Sequence, residues 1–247
     1  YPGREKEILE YFKNNPDIQN QLSGPIFEDK IVDSNMEITC NFVDLSFKLN
    51  VKDVLGSIFQ EWFYQYLNNK GIAWKSPENT QQYPDVILPN NHYLELKTFN
   101  YDASPGFDLA NFKSFINDLI MNPKRLDSDY LIFGYQVLDK KIILKKYWIK
   151  KIWDITRIPK AGSTRGLITA QVKKGIVYNL RPYKFYTGDA EKLSIKSRRD
   201  FVIQLKKFIG DSRYISQFIN KNDSFLSPED WFNKVSFKYL NQTGTEL

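Results

Sequence analysis

Residues 83–97 read Tyr83-Pro84-Asp85-Val86-Ile87-Leu88-Pro89-Asn90-Asn91-His92-Tyr93-Leu94-Glu95-Leu96-Lys97. Asp85-Val86-Ile87-Leu88 reads as one strand, Pro89-Asn90-Asn91 is a turn signal, and Tyr93 to Phe99 reads as a second strand, with apolar and polar residues alternating over 94–97. This pattern predicts a β-hairpin. Strand alternation puts Glu95 and Lys97 on one face and Leu94 and Leu96 on the other. A turn at 89–91 then brings Asp85 beside Glu95.

The neighbouring segments fill in a fold around this hairpin. Upstream, Val54, Leu55, Ile58, Phe59, Trp62, Phe63, Tyr66 and Leu67 recur at helical spacing, predicting a helix over 53–69 that Gly71 closes. Downstream, a loop from Asn100 to Phe107 leads to a helix over 109–121, with Asp108 as its N-cap and Pro123 beyond its end. Buried strands are expected over 130–137 and 141–149. A helix joining strand 93–99 to strand 130–137 is long enough for a crossover, which makes those strands candidates for parallel neighbours. The fold class expected is α/β, more exactly mixed α+β, with a central mixed β-sheet flanked by helices. Farther along, Leu167–Val172 and Ile176–Leu180 form a hairpin pattern around Lys173-Lys174-Gly175. Helices are predicted over 4–13, 198–209 and 212–220, and from Ser227, where Pro228 and Asp230 give a start signal. With no repeat and no Gly/Ser/Pro-rich linker, residues 1–247 read as a single domain. Its parts are a core over 54–147, a basic region over 140–213 and a helical segment over 214–247.

Composition limits the chemistry. With 42% hydrophobic and 26% charged residues, the chain of 247 residues is long enough to bury a core without staples. One cysteine, Cys40, excludes a disulfide framework and cysteine zinc sites. One histidine, His92, excludes HExxH zinc sites and histidine-cluster nucleases, and reads as an exposed turn residue. Catalysis is left to carboxylates and lysines. No run of eighteen apolar residues and no signal-peptide pattern occurs, so a cytoplasmic location is expected. The net charge of +6 conceals an asymmetry: residues 1–139 carry 12 Lys/Arg and 20 Asp/Glu, whereas residues 140–213 carry 20 and 5. So large a basic excess over one segment is the footprint of a polyanion binder, with nucleic acid the leading partner.

Asp85, Glu95 and Lys97 on one patch suit a divalent cation. Mg²⁺ prefers oxygen ligands and typically takes one or two carboxylates plus substrate phosphates. A lysine beside it can orient water or stabilise a developing anion.

Pro84, Asp85, Glu95 and Lys97 together resemble the motif of the PD-(D/E)xK nuclease superfamily, in particular its type II restriction endonucleases. In that family a helix before the hairpin contributes an acidic residue. Glu61 occupies that place here, with Gln60 an alternative one residue away. The resemblance spans residues 54–147. It implies a Mg²⁺-dependent endonuclease acting on double-stranded DNA at a short palindromic site, as a homodimer. It also implies catalytic roles for Asp85, Glu95, Lys97 and Glu61, and metal ligation at Asp85, Glu95 and Leu96. Pro16-Asp17 followed by Glu28-Asp29-Lys30 matches the same bare string. That copy lacks strand-like flanks and carries a charge where Leu96 stands, so the copy at 84–97 is preferred.

Lys160 to Gly166 supplies small, hydrogen-bonding residues around one arginine. Ser163, Thr164 and Arg165 suit groove contacts, with Arg165 placed to meet a guanine. Thr169, Gln171 and Lys173 alternate on one strand and extend that contact. Lys145, Lys146, Lys150, Lys151, Arg198 and Arg199 read as phosphate contacts, which position without specifying. Two other readings stand beside the restriction enzyme: a repair or junction-resolving nuclease with the same core, and a non-catalytic DNA-binding module.

Overall fold

In the computed structural model, which describes residues 35–36, 39–42, 45–48, 55–77, 83–138, 141–188, 190–220 and 224–247, the hairpin forms as expected. Following β1 (Asn35–Met36), β2 (Thr39–Phe42), β3 (Leu45–Lys48) and α1 (Leu55–Lys70), it consists of β4 (Val86–Leu88) and β5 (His92–Asn100). The two are antiparallel, with Val86 opposite Leu94 and Leu88 opposite His92. A 3-10 turn over Pro89–Asn91 joins them, and Asn91 takes φ 53°, a left-handed conformation asparagine tolerates. The expected helix over 4–13 and the motif copy at 16–30 lie outside the described residues.

The chain divides into two compact units: residues 1–104 with 129–150, and residues 105–128 with 151–247. In the first, β7 (Asp129–Leu138) runs parallel to β5, from Leu94 opposite Asp129 to Asn100 opposite Tyr135. β8 (Lys141–Lys150) returns antiparallel to β7, and β1 borders β8. The sheet order is β1-β8-β7-β5-β4, while β2 and β3 pair separately.

One sheet face is apolar because one helix covers it. Leu55, Phe59, Phe63 and Leu67 follow each other by four residues on α1, and all are buried. They form one core with Val86, Leu88, Leu94, Leu96, Leu131 and Phe133. Phe59 stacks on Phe133 at 5.2 Å. Each such ring or Leu contributes about 1.5–3 kcal/mol through burial. Gly71 ends α1 at φ 67°, with Ile72 N–H donating back to Leu67 O at 2.9 Å, as a Schellman cap requires.

The second unit holds β6 (Ala110–Asn111), α2 (Phe112–Met121), β9 (Ala170–Lys173), β10 (Ile176–Leu180), α3 (Ala190–Leu193), α4 (Arg198–Gly210) and α5 (Pro228–Thr243). β6, β10 and β9 make a small antiparallel sheet. The β9–β10 turn has Lys174 at φ 51° and Gly175 at φ 77°, the positive angles a two-residue hairpin turn demands. Phe112, Phe208 and Phe218 form its aromatic core, at 4.5 and 5.3 Å from the Phe112 ring. Ser227 caps α5 by accepting the Asp230 N–H, as expected.

Two local expectations differ. The helix expected from 109 begins at Phe112, because Ala110 and Asn111 are taken into the small sheet. Asn111 is therefore the N-cap, accepting Ser114 N–H at 3.0 Å, and Asp108 instead pairs with Arg181 at 2.9 Å. The helix expected over 212–220 is a series of turns with a single 3-10 turn at Ile215–Gln217. Among the described residues, no helix is long and apolar enough to cross a membrane.

Gly134 on β7 admits the aromatic layer on the other sheet face. A Cβ there would meet the Trp148 ring at 3.0 Å and Tyr101 at 3.1 Å. Gly134→Ala is accordingly expected to destabilise the protein by about 1–3 kcal/mol in urea unfolding. An unchanged midpoint would show that the ring layer yields freely.

Candidate active site

Continuing the β4–β5 register one step past Val86 and Leu94 sets Asp85 opposite Glu95. Asp85 Oδ2 accepts the Leu96 N–H at 2.7 Å, which fixes the carboxylate against the neighbouring strand. Lys97 Nζ donates to Glu95 Oε1 at 2.8 Å. Both are largely withdrawn from solvent, with side-chain exposures of 20% for Lys97 and 10% for Glu95. The other oxygen, Glu95 Oε2, is buried and has no hydrogen-bond partner among the described residues.

The electrostatics follow from this crowding. Burial pushes the Asp85 carboxyl up to about 6, and the Glu95 charge adds to the effect. The Lys97 ammonium and the Leu96 N–H oppose it without cancelling it. Two half-compensated acids and a buried, unsatisfied oxygen form a donor set suited to a hard cation. Among the described residues no group of three His, Cys, Asp or Glu side chains is arranged to hold a metal, so the carboxylates at this site number two.

From α1, Tyr64 reaches the site. Its hydroxyl donates to the Asp85 carbonyl at 3.1 Å and accepts the Gln60 amide. Its ring stacks on Trp74 at 4.3 Å. Burial raises the Tyr64 pKa, with the charges of Asp85, Glu61 and Glu95 adding to it, so the hydroxyl stays a donor. Glu61 itself is exposed and accepts the Gln65 amide at 2.9 Å. Of the two residues the helix offered, Gln60 is the one linked by hydrogen bonds to Asp85. Tyr64 is a neighbour of the candidate site that the sequence reading missed, since it lies outside the periodic apolar set and carries no charge.

His92 is no bland turn residue. Its Nε2 lies 2.7 Å from Asp129 Oδ2, a carboxylate only 5% exposed, and the pair ties the start of β5 to the start of β7. The facing strands add basic residues. In register, Glu95, Tyr130 and Lys150 form one row, and Phe99, Gly134 and Lys146 another, so Lys146 and Lys150 share the Glu95 face. Lys146 lies 5.7 Å from the Trp148 ring centre. Lys145 is the extra residue of the bulge opposite Gly134 and Tyr135, and is half-buried.

In the second unit, Arg165 is exposed, and so are Ser163, Lys173 and Arg199, while Gln171 is half-buried. Thr169 spends its hydroxyl on the Arg157 carbonyl. Three more of the expected DNA contacts are likewise committed internally. Thr164 is 5% exposed. Arg198 stands 3.2 Å from Asp127 and 4.4 Å over the Tyr239 ring. Lys151 donates to the Asp127 carbonyl at 2.7 Å. Charge density along the sequence cannot reveal Asp127, which lies far from both in the chain.

Comparison with known proteins finds restriction endonucleases by family model, by sequence and by structure. A family model described as NgoBV restriction endonuclease matches residues 17–247. The type II restriction enzyme NlaIV of Neisseria lactamica is 37% identical over 188 residues, covering 74% of this chain and 76% of that protein. The type II restriction enzyme NgoBV of Neisseria gonorrhoeae is 36% identical over 137 residues, covering 53% and 77%. The solved structure of the NlaIV restriction endonuclease superposes with a TM-score of 0.78 at 31% identity, covering 94% of this chain and 91% of its own.

The Asp85 carboxyl has a measurable consequence without metal. Its folded value of about 6 lies above the ordinary 3.8, so below pH 4 both folded and unfolded chains hold the proton. Between pH 4 and 6 the unfolded chain releases it first, and stability falls as pH rises. Asp85→Asn removes this dependence. In EDTA, its stability relative to the unsubstituted protein should improve by roughly 2–3 kcal/mol between pH 4 and pH 7. Parallel pH profiles for the two proteins would contradict the raised value.

Proposed function

The chain belongs to the NgoBV restriction endonuclease family, and we propose that this type II restriction enzyme, a site-specific deoxyribonuclease, uses Mg²⁺ at the Asp85–Glu95 pair to cut a short palindromic DNA site. The observation that carries this reading is the buried, unpartnered Glu95 Oε2 beside an Asp85 carboxyl lifted by the same crowding. A buried carboxylate oxygen without a donor is costly unless a cation meets it.

Asp85 and Glu95 would hold the ion, with the main-chain carbonyl of Leu96 as a third ligand. The ion would supply positive charge against the scissile phosphate and lower the pKa of water. The other roles belong to the protein. The Leu96 N–H orients Asp85, and Tyr64 steadies the Asp85 backbone from the helix side. Glu95 Oε1 holds the Lys97 ammonium, which can donate to the attacking water or to a phosphate oxygen as negative charge grows. Hydrolysis adds water at phosphorus and breaks the P–O3′ bond, leaving a 5′-phosphate and a 3′-hydroxyl. Glu61 would act through its field, since it makes no hydrogen bond to the pair.

Cutting both strands of a palindrome takes one site per strand, which a C2 homodimer provides. Arg165 and Lys173 would meet the duplex from the second unit, while Lys146 and Lys150 would meet phosphates near the catalytic face. The cellular setting would be the cytoplasm, where duplex DNA is the substrate. The restriction-enzyme reading is preferred to the repair-nuclease and non-catalytic alternatives because NlaIV and NgoBV, the two relatives described above, carry restriction-enzyme names.

A plasmid digest tests the reading. With Mg²⁺ the protein should give discrete bands, and none in EDTA. Asp85→Ala, Glu95→Ala and Lys97→Ala should each lose at least about 100-fold in rate. Full activity in EDTA or in Asp85→Ala would refute it. Affinity for the duplex should also fall steeply with salt, as phosphate contacts demand. A flat response would remove the basic region from the binding surface.

A further inference from the structure

Residues 211–217 follow α4 and form the turn segment found in place of an expected helix. Their side chains are spent on two other pieces of the same unit. Asp211 grips Arg213 with both oxygens, Oδ1 at 2.7 Å from Nε and Oδ2 at 3.0 Å from Nη2. Arg213 then donates to the carbonyls of Ser163 and Arg165, each at 3.2 Å. The Tyr214 hydroxyl donates to the same Ser163 carbonyl at 2.6 Å. Three residues on, Gln217 clamps the β9–β10 turn: its Nε2 donates to Gly175 O at 2.8 Å and its Oε1 accepts Val177 N–H at 2.9 Å.

The grip is on main chain, and this matters. The carbonyls held by Arg213 flank buried Thr164, between Gly162 at φ 89° and Gly166 at φ 75°. The loop backbone is thereby fixed, while the Arg165 side chain is exposed and meets no partner among the described residues. Arg213 resembles a phosphate contact by charge alone. Its charge is matched by Asp211, whose carboxyl the Arg213 hydrogen bonds hold below the usual range.

We propose that Arg213, Tyr214 and Gln217 form a positioning bracket that sets the spacing between Arg165 and the Lys173–Lys174 turn, and thereby the base selectivity of cleavage. The proposal rests on the reading that these two elements face DNA. A bidentate arginine discriminates between bases only when its backbone origin is fixed, and loops left loose lose that geometry. None of the three bracket residues needs to touch DNA for this. They act through the loop and the hairpin turn.

Digestion of a random-insert plasmid library with Mg²⁺, followed by sequencing of the ends, gives the ratio of cleavage at the preferred site to cleavage at sites differing by one base pair. Arg213→Lys keeps the charge and loses the planar fork. Gln217→Ala is an independent variant on the second arm. Each should lower the ratio about tenfold or more, with the salt dependence of non-specific duplex binding unchanged. Arg165→Ala, the control, should lower it as well. If both bracket variants keep the ratio within about twofold while Arg165→Ala lowers it, the bracket is overturned and the DNA-facing loop stands. If Arg165→Ala keeps the ratio too, the DNA-facing reading falls and the bracket with it. A reduced salt slope in Arg213→Gln, which removes the charge, with an unchanged ratio would make Arg213 a phosphate contact and overturn the proposal.

Discussion

Glu95 is held against Asp85 by strand register, and the rest of the site depends on that enforced proximity. The register is set on the opposite face of the sheet. Leu94 and Leu96 pack under Phe59, Phe63 and Leu67 of α1, and Val86 and Leu88 join them from β4. A slip of one residue would turn Glu95 and Lys97 into that apolar layer and expose the leucines. Hydrophobic packing on one face thus offsets electrostatic strain on the other. Lys97 and the Leu96 N–H relieve part of the strain, and the remainder is what a cation would relieve under the proposed function.

The two compact units divide the work. The first carries the acids and the sheet that aligns them. The second carries an exposed arginine on a loop whose backbone is tied down by side chains from another segment. In both, the backbone of a candidate site residue is held by the side chain of a neighbouring element. Tyr64 does this for Asp85, and Arg213 does it for Arg165. Preorganisation of this kind lowers the cost of binding more than added contacts would.

The hairpin, α1 with its Gly71 cap, and the parallel β5–β7 pair were all legible, because each rests on local periodicity and punctuation. The juxtaposition of Asp85, Glu95 and Lys97 was legible for the same reason, since the Glu95–Lys97 spacing is a strand period. What escaped the sequence depends on partners distant in the chain. Asp108 lost the cap to Asn111 because a two-residue strand, formed with β10, moved the helix start. A helix is expected over 212–220, yet Arg213 and Gln217 are drawn onto residues some fifty and forty positions away. Arg198 and Lys151 counted as free cations until Asp127 claimed them. Helical spacing could offer both Gln60 and Glu61, but only the hydrogen bond through Tyr64 distinguishes them.

The most direct test of the central claim is calorimetric titration of Mn²⁺, as a Mg²⁺ surrogate, into the DNA-free protein across pH 5 to 8. Competition between the ion and the Asp85 proton sets the expectation: affinity nearly constant above about 6, and falling roughly tenfold per pH unit below it. Binding should vanish in Asp85→Ala. Equal binding by Asp85→Ala, or an affinity independent of pH throughout, would contradict the account.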